Sequence, residues 1–268
     1  DKTFTYKVVE NGGGKGGYTY DSTYWMVEIA VKKRGDGSLY TVTTVKHYDA
    51  NDVEEPRDTK PFSSETGAAK AQVFFTNSYI ATGTFEGLTA EKVMDSRDKI
   101  EAGQYTFVLY AEKADGSLEK MDEGTTQAGE NGTATVDFGK VYFKLGDATS
   151  ETHEQTIDLA GAVNDGVATK RHNADHTTTY SFNLVAKERL ANLPEGVRPV
   201  DTSATCRVLL EVTDNNDGTL TPKVTYRDGT EEGKIVFHNT RDKVKTIGTV
   251  AEPNVDIDGL LLSVGDSY

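Results

Sequence analysis

A single cysteine, Cys206, in a chain of 268 residues excludes any internal disulfide. Small extracellular modules usually harden themselves with disulfides, so a secreted chain of this kind needs another source of stability. Basic residues are also scarce: 29 Lys and Arg stand against 43 Asp and Glu, a net charge of −14. Such a balance excludes a phosphate-backbone footprint, which needs clustered cations, and anionic lipid would repel it. Hence no nucleic-acid partner is expected. Apolar runs are short, Leu260-Leu261-Leu262 being among the longest, and none approaches the roughly 18 residues that span a bilayer. No membrane insertion is expected in this segment. No signal peptide opens the sequence, so a secretion signal would lie upstream or have been removed. Helical periodicity is weak; the best candidate is a short turn over Ser64 to Ala71, interrupted by Gly67.

What is present is strand. Thr, Val, Tyr and Phe alternate with polar residues in Phe4-Thr5-Tyr6-Lys7-Val8, Tyr105-Thr106-Phe107-Val108-Leu109 and Tyr180-Ser181-Phe182-Asn183-Leu184. Tight Asp-Gly turns punctuate them at Asp36-Gly37, Asp115-Gly116, Asp217-Gly218 and Asp228-Gly229, where glycine tolerates positive φ. The fold class expected is all-β, an array of tandem immunoglobulin-like β-sandwich modules.

The chain also repeats itself. Phe4-Thr5-Tyr6-Lys7-Val8-Val9-Glu10 parallels Tyr180-Ser181-Phe182-Asn183-Leu184-Val185-Ala186. Each is followed by an apolar strand, Val27 to Val31 and Val208 to Val212, and then by a hairpin at Gly35-Asp36-Gly37 or Asn216-Asp217-Gly218. Both copies close on one kind of strand, Val73-Phe74-Phe75-Thr76-Asn77-Ser78-Tyr79 and Ile235-Val236-Phe237-His238-Asn239-Thr240. Three segments are expected: 1–79, the later part of a first module; 80–240, a complete module; and 241–268, the opening of a following one. Ser263 to Tyr268 written before Asp1 to Tyr6 reads as one strand approach, as if one period of a longer array were cut out of phase.

The paired strands Phe-Thr-Asn-Ser-Tyr and Phe-His-Asn-Thr-Arg resemble those of the streptococcal pilin isopeptide-linkage domain family. This family builds T-antigen-type backbone pilins and Gram-positive surface stalks on CnaB-like sandwiches. The resemblance implies a spontaneous bond between a Lys amine and an Asn side-chain amide, assisted by a Glu, with release of ammonia. It places the Asn at Asn77 and Asn239, the Lys of the complete module at Lys92, and the assisting Glu of the first module at Glu10. On the pairing above, Ala186 occupies the second Glu position. Glu188, two residues on, could substitute; otherwise another acid serves, or the bond does not form. The first module lacks a Lys in its own copy, and Lys245 or Lys243 sits where a following module would open. Phe75, Phe107 and Phe237 are candidates for an apolar shell that would keep the amine neutral.

The resemblance implies a structural role: a repeat of a cell-wall-anchored stalk, adhesin or pilus shaft outside a Gram-positive cell. Its partners would be neighbouring modules or copies of the same protein, and its chemistry at most one intramolecular turnover. No cofactor and no metal is called for. The alternative is an adhesive binding module recognising a host protein or glycan on the host surface. Trp25, the one Trp, reads as a buried strand residue and not as a sugar platform. Other motifs have plain readings. Arg34-Gly35-Asp36 reads as turn chemistry, with receptor binding as the alternative. His172, Asp175 and His176 lie in an Asn/Asp-rich loop, where metal-ligand spacing on a helix does not apply. Counting back from Gly218 places Thr213 and Val224 at the ends of a calcium loop, so Asp214 to Gly218 reads as a hairpin turn. Leu193-Pro194-Glu195-Gly196 lacks the Thr-Gly pair of a sortase signal.

Overall fold

The computed structural model describes residues 1–55, 62–64, 72–148, 155–200 and 205–242. Lys243, Lys245 and nearly all of the expected third segment lie outside them, as does most of the turn expected from Ser64 to Ala71. The described chain is almost wholly β, as the alternation predicts. In the first module it forms β1 (Lys2–Val9), β2 (Tyr18–Thr19), β3 (Tyr24–Lys33), β4 (Leu39–Tyr48), β5 (Glu54–Glu55), β6 (Phe62–Ser63) and β7 (Ser78–Tyr79). The second module opens with β8 (Ala81–Phe85), β9 (Thr89–Met94), β10 (Thr106–Glu112), β11 (Leu118–Thr125), β12 (Thr133–Asp137), β13 (Val141–Leu145) and β14 (Thr156–Asp158). After the short helix α1 (Leu159–Asn164) come β15 (Thr169–His172), β16 (Thr178–Glu188), β17 (Val197–Pro199), β18 (Thr205–Asp214), β19 (Leu220–Tyr226), β20 (Thr230–Glu231) and β21 (Lys234–Arg241). Helix α1 was not foreseen; Asp158 caps it by accepting from the Ala160 amide, and it buries Leu159 and Ala162.

The second module is a sandwich. One sheet runs β11-β10-β16-β18-β19, and the facing one β12-β9-β21-β17, with β14-β13-β8 alongside. Their inward residues form one core that includes Phe107, Phe182 and Leu210 from the first sheet, Ile235 and Phe237 from the second and Phe143 from the third. At roughly 25 cal/mol per Å² of apolar surface, each fully buried aromatic or aliphatic side chain contributes about 1.5–3 kcal/mol. In the facing sheet β9 lies parallel to β21, so strands from the two ends of the module are hydrogen-bonded neighbours.

Among the described residues the first module presents one sheet, β1-β3-β4-β5 with β6 also on β4, and the ribbon β2-β7. Trp25 is buried against His47 and Phe74, with ring centroids 4.5 and 5.4 Å away. The expected closing strand Val73 to Tyr79 is strand only at Ser78–Tyr79. Among the described residues no β-ladder runs along 72–77; the Phe74 carbonyl accepts from Trp25 Nε1 and the Thr76 amide donates to Asp21 Oδ2, side-chain bonds that do not make a strand.

Strand pairing also corrects the internal repeat by two residues. Phe4 faces Ile29 as Phe182 faces Leu210, and Val8 faces Trp25 as Ala186 faces Cys206. Phe4 therefore corresponds to Phe182 and not to Tyr180, and Glu10, two residues past Val8, corresponds to Glu188. A two-residue slip keeps every side chain on its own face, so alternation alone cannot detect it.

The modules meet at a built joint. The β18–β19 turn seats on the β2-β7 ribbon: Tyr18 Oη donates to Asn216 Oδ1 at 2.7 Å and Tyr79 Oη to Asp214 Oδ1 at 2.5 Å. The Gly218 amide donates to Tyr79 Oη at 3.3 Å. Gly17 holds φ +78, and a Cβ there would lie 2.6 Å from the Gly218 Cα, so the close approach requires glycine.

Candidate functional site: a buried lysine, glutamate and asparagine

Strand alternation aims three polar side chains at the core of the second module. In β9 the inward positions are Ala90, Lys92 and Met94; in β21 they are Ile235, Phe237 and Asn239. In β16 they include Ala186 and Glu188. Lys92 and Asn239 are wholly inaccessible, and Glu188 is buried. Lys92 stands across the parallel ladder from Phe237, two residues before Asn239, while Glu188 reaches them from the opposite sheet, beside Phe107.

One carboxylate oxygen holds both partners. Glu188 Oε1 lies 3.0 Å from Lys92 Nζ and accepts from Asn239 Nδ2 at 3.0 Å. Three atoms in this cluster have no aligned hydrogen-bond partner: Lys92 Nζ, Glu188 Oε2 and Asn239 Oδ1. The amine contact is thus close but poorly directed. Buried polar groups are normally satisfied, and a deficit costs roughly 1–3 kcal/mol per group. Around them Phe107 and Phe237 pack with centroids 4.9 Å apart, and the Tyr105 ring centroid lies 5.0 Å from Lys92 Nζ.

This apolar shell sets the protonation. Burial lowers the Lys92 pKa to about 8, outweighing the attraction of Glu188, which acts in the other direction. Burial likewise raises Glu188 above the usual carboxylate range, against the opposing pull of Lys92 and Asn239. Both shifts favour a neutral amine beside a neutral acid. An uncharged amine, an amide carbonyl and a proton donor are what an acyl transfer from nitrogen to nitrogen requires.

Ala186, the position matched to Glu by the sequence, lies deeper on the same face, opposite Leu109 and Cys206. It has no contact with the Lys-Asn pair to make; Glu188, one inward position along, is where the acid stands. Tyr105 was not singled out as a shell residue, although its place at the mouth of β10, two before Phe107, carried the signal. In the first module Phe75 corresponds to Phe237, each lying two residues before its Asn.

That module repeats part of the site. Asn77 Nδ2 donates to Glu10 Oε1 at 2.7 Å, and the Asp21 amide donates to Asn77 Oδ1 at 2.9 Å and to Glu10 Oε2 at 3.2 Å. Asn77 is exposed, and among the described residues no lysine amine lies within ion-pair distance of Glu10.

The remaining motifs fold back on themselves. Asp36 Oδ1 accepts from the Ser38 amide and hydroxyl, and Arg34 Nη1 donates to Ser38 Oγ, so the Arg-Gly-Asp tip is an ordinary turn. His172 ends β15 and pairs with Thr178, while His176 sits at φ +68 in the following turn. Among the described residues no group of three His, Cys, Asp or Glu is arranged to hold a metal. Asp214 to Gly218 is the joint's turn, and Gly196 of Leu193-Pro194-Glu195-Gly196 leads into β17. No described helix is long and apolar enough to cross a membrane.

A sandwich whose terminal strands are adjacent and share a buried Lys-Glu-Asn cluster defines an isopeptide-type immunoglobulin-like domain. The family model FctA, a Spy0128-like isopeptide containing domain, matches residues 1–80 and 88–242, and the chain belongs to that family. A search of curated proteins returned no match.

Proposed function

We propose that the chain is a load-bearing structural segment of a Gram-positive surface stalk or pilus shaft, stapled by an amide between Lys92 and Asn239. The observation that carries this reading is the burial of Lys92, Glu188 and Asn239 around one carboxylate oxygen. In the bonding step the neutral Lys92 amine attacks the Asn239 side-chain carbonyl carbon. Glu188 donates its proton as the tetrahedral centre forms, and takes one from the attacking nitrogen as it collapses. The Asn239 nitrogen leaves as ammonia, and a secondary amide remains. Strand pairing replaces a bimolecular encounter by positioning. The reaction happens once per molecule, so the chain is not an enzyme acting on a separate substrate.

The product ties β9 to β21 across a closed loop of most of the module. By the arithmetic used for disulfide loops this stabilises by about 5 kcal/mol. Force applied along the chain would meet a covalent tie between the terminal strands in place of a ladder that shears. That supplies the hardening which one cysteine cannot. Localisation outside the cell, in a wall-anchored protein, follows from this role, with neighbouring modules or copies as its partners. Peptide mapping tests the reading: a digest should contain one branched peptide joining the Lys92 segment to the Asn239 segment. Recovery of both segments only as separate linear peptides would sink it.

A further inference from the structure

We propose that Tyr24 and Tyr48 form an oxidative modification site, where a peroxidase-type oxidant couples the two rings into a dityrosine bond between β3 and β4. The site lies in the first module and does not depend on the Lys92 cluster. Tyr24 faces Tyr48 across the antiparallel ladder, and the next pair along is Trp25 with His47. Trp25 and His47 are buried, so alternation turns both tyrosines to the opposite side of the sheet, where each is half-buried. Their rings lie nearly parallel, with planes 7° apart and centroids separated by 5.1 Å. The register thus holds the two rings as neighbours and replaces an encounter by positioning.

Each hydroxyl has its own carboxylate. Tyr24 Oη donates to Asp52 Oδ1 at 2.7 Å, and Tyr48 Oη donates to Glu54 Oε2 at 3.3 Å. The bond to Asp52 pushes the Tyr24 pKa up to about 12, so this phenol enters the reaction protonated. Lys7 Nζ lies 3.6 Å from the Tyr24 ring centroid. A cation over the ring opposes loss of an electron that leaves positive charge behind, so the proton must leave with it. The carboxylates are placed to take that proton. Each ring loses one electron and one proton and becomes a neutral phenoxyl radical. The radicals join through ring carbons ortho to oxygen, and the hydrogen on each of those carbons moves to the oxygen as the rings regain aromaticity. The two electrons and two protons released reduce hydrogen peroxide to water. Tyr18 and Tyr79, although close, lack this arrangement: their rings are tilted by 44°, and the Tyr18 hydroxyl donates to an amide oxygen, that of Asn216.

The test treats the full chain, at high dilution, with peroxidase and hydrogen peroxide. Intact mass under denaturing conditions, dityrosine fluorescence and a digest are then recorded. The expected product is a fluorescent monomer lighter by two hydrogens, whose digest joins the Tyr24 segment to the Tyr48 segment. Tyr24→Phe and Tyr48→Phe each keep the ring, and each should abolish the product with circular dichroism unchanged; Tyr18→Phe should not. Asp52→Asn should slow coupling about tenfold, less than the loss of a buried base, because water also takes the proton. Absence of the two-hydrogen loss, coupling spread over other tyrosines, coupling chiefly between chains, or a product that survives Tyr48→Phe would each overturn the inference.

Discussion

Glu188 holds the chemistry of the buried cluster, because both nitrogens meet the same carboxylate oxygen. Replacing it by alanine should leave Lys92 and Asn239 unlinked, as shown by a branched peptide that disappears from the digest. A further expectation concerns pH. The folded-state pKa of Lys92 is depressed from 10.5 to about 8, so the reactive neutral amine is lost as pH falls through that value. Bond formation in freshly synthesised chain should therefore slow about tenfold for each pH unit below about 8. A time course of ammonia loss at several pH values checks it, and a rate that rises toward acid would contradict the assignment of Lys92 as nucleophile.

At the scale of elements, β9 and β21 carry most of what the sequence makes legible. Both alternate cleanly, and each sets a polar residue on the core face, which reads as chemistry because Lys and Asn are rarely fully buried. The fold class is equally legible in the Asp-Gly turns and the alternation. The acid was harder to place, since β16 offers inward positions at both Ala186 and Glu188 and periodicity cannot choose between them. Only the pairing of Ala186 with Cys206, against that of Val8 with Trp25, fixes the register. Helix α1 was invisible because six residues are too few for a period to emerge. The register makes its own prediction. Ala186→Glu should not restore the bond to a Glu188→Ala chain, and should destabilise it by about 3–5 kcal/mol through an unpaired buried charge. Mass and thermal melting read both effects; rescue would show that the acid belongs one inward position deeper.

Across the whole molecule the joint would act in series with the proposed Lys92–Asn239 bond. The Gly218 turn is seated against Gly17, with Tyr18 and Tyr79 bonded to Asn216 and Asp214. Gly17→Val strains a positive φ and collides with Gly218, so small-angle scattering should show a broader distribution of inter-module orientations, with each module still folded. An unchanged profile would mean that the joint contributes nothing to shape. The staple should raise the melting temperature of the second module by about 10–20 °C over an unlinked Asn239→Ala chain, given about 5 kcal/mol and the entropy of a domain this size. The most direct test of the central claim is the intact mass of the denatured, purified chain. The account predicts a deficit of one ammonia against the encoded sequence, abolished by Lys92→Ala and by Asn239→Ala. A mass equal to the encoded sequence, in a chain that folds, would contradict it.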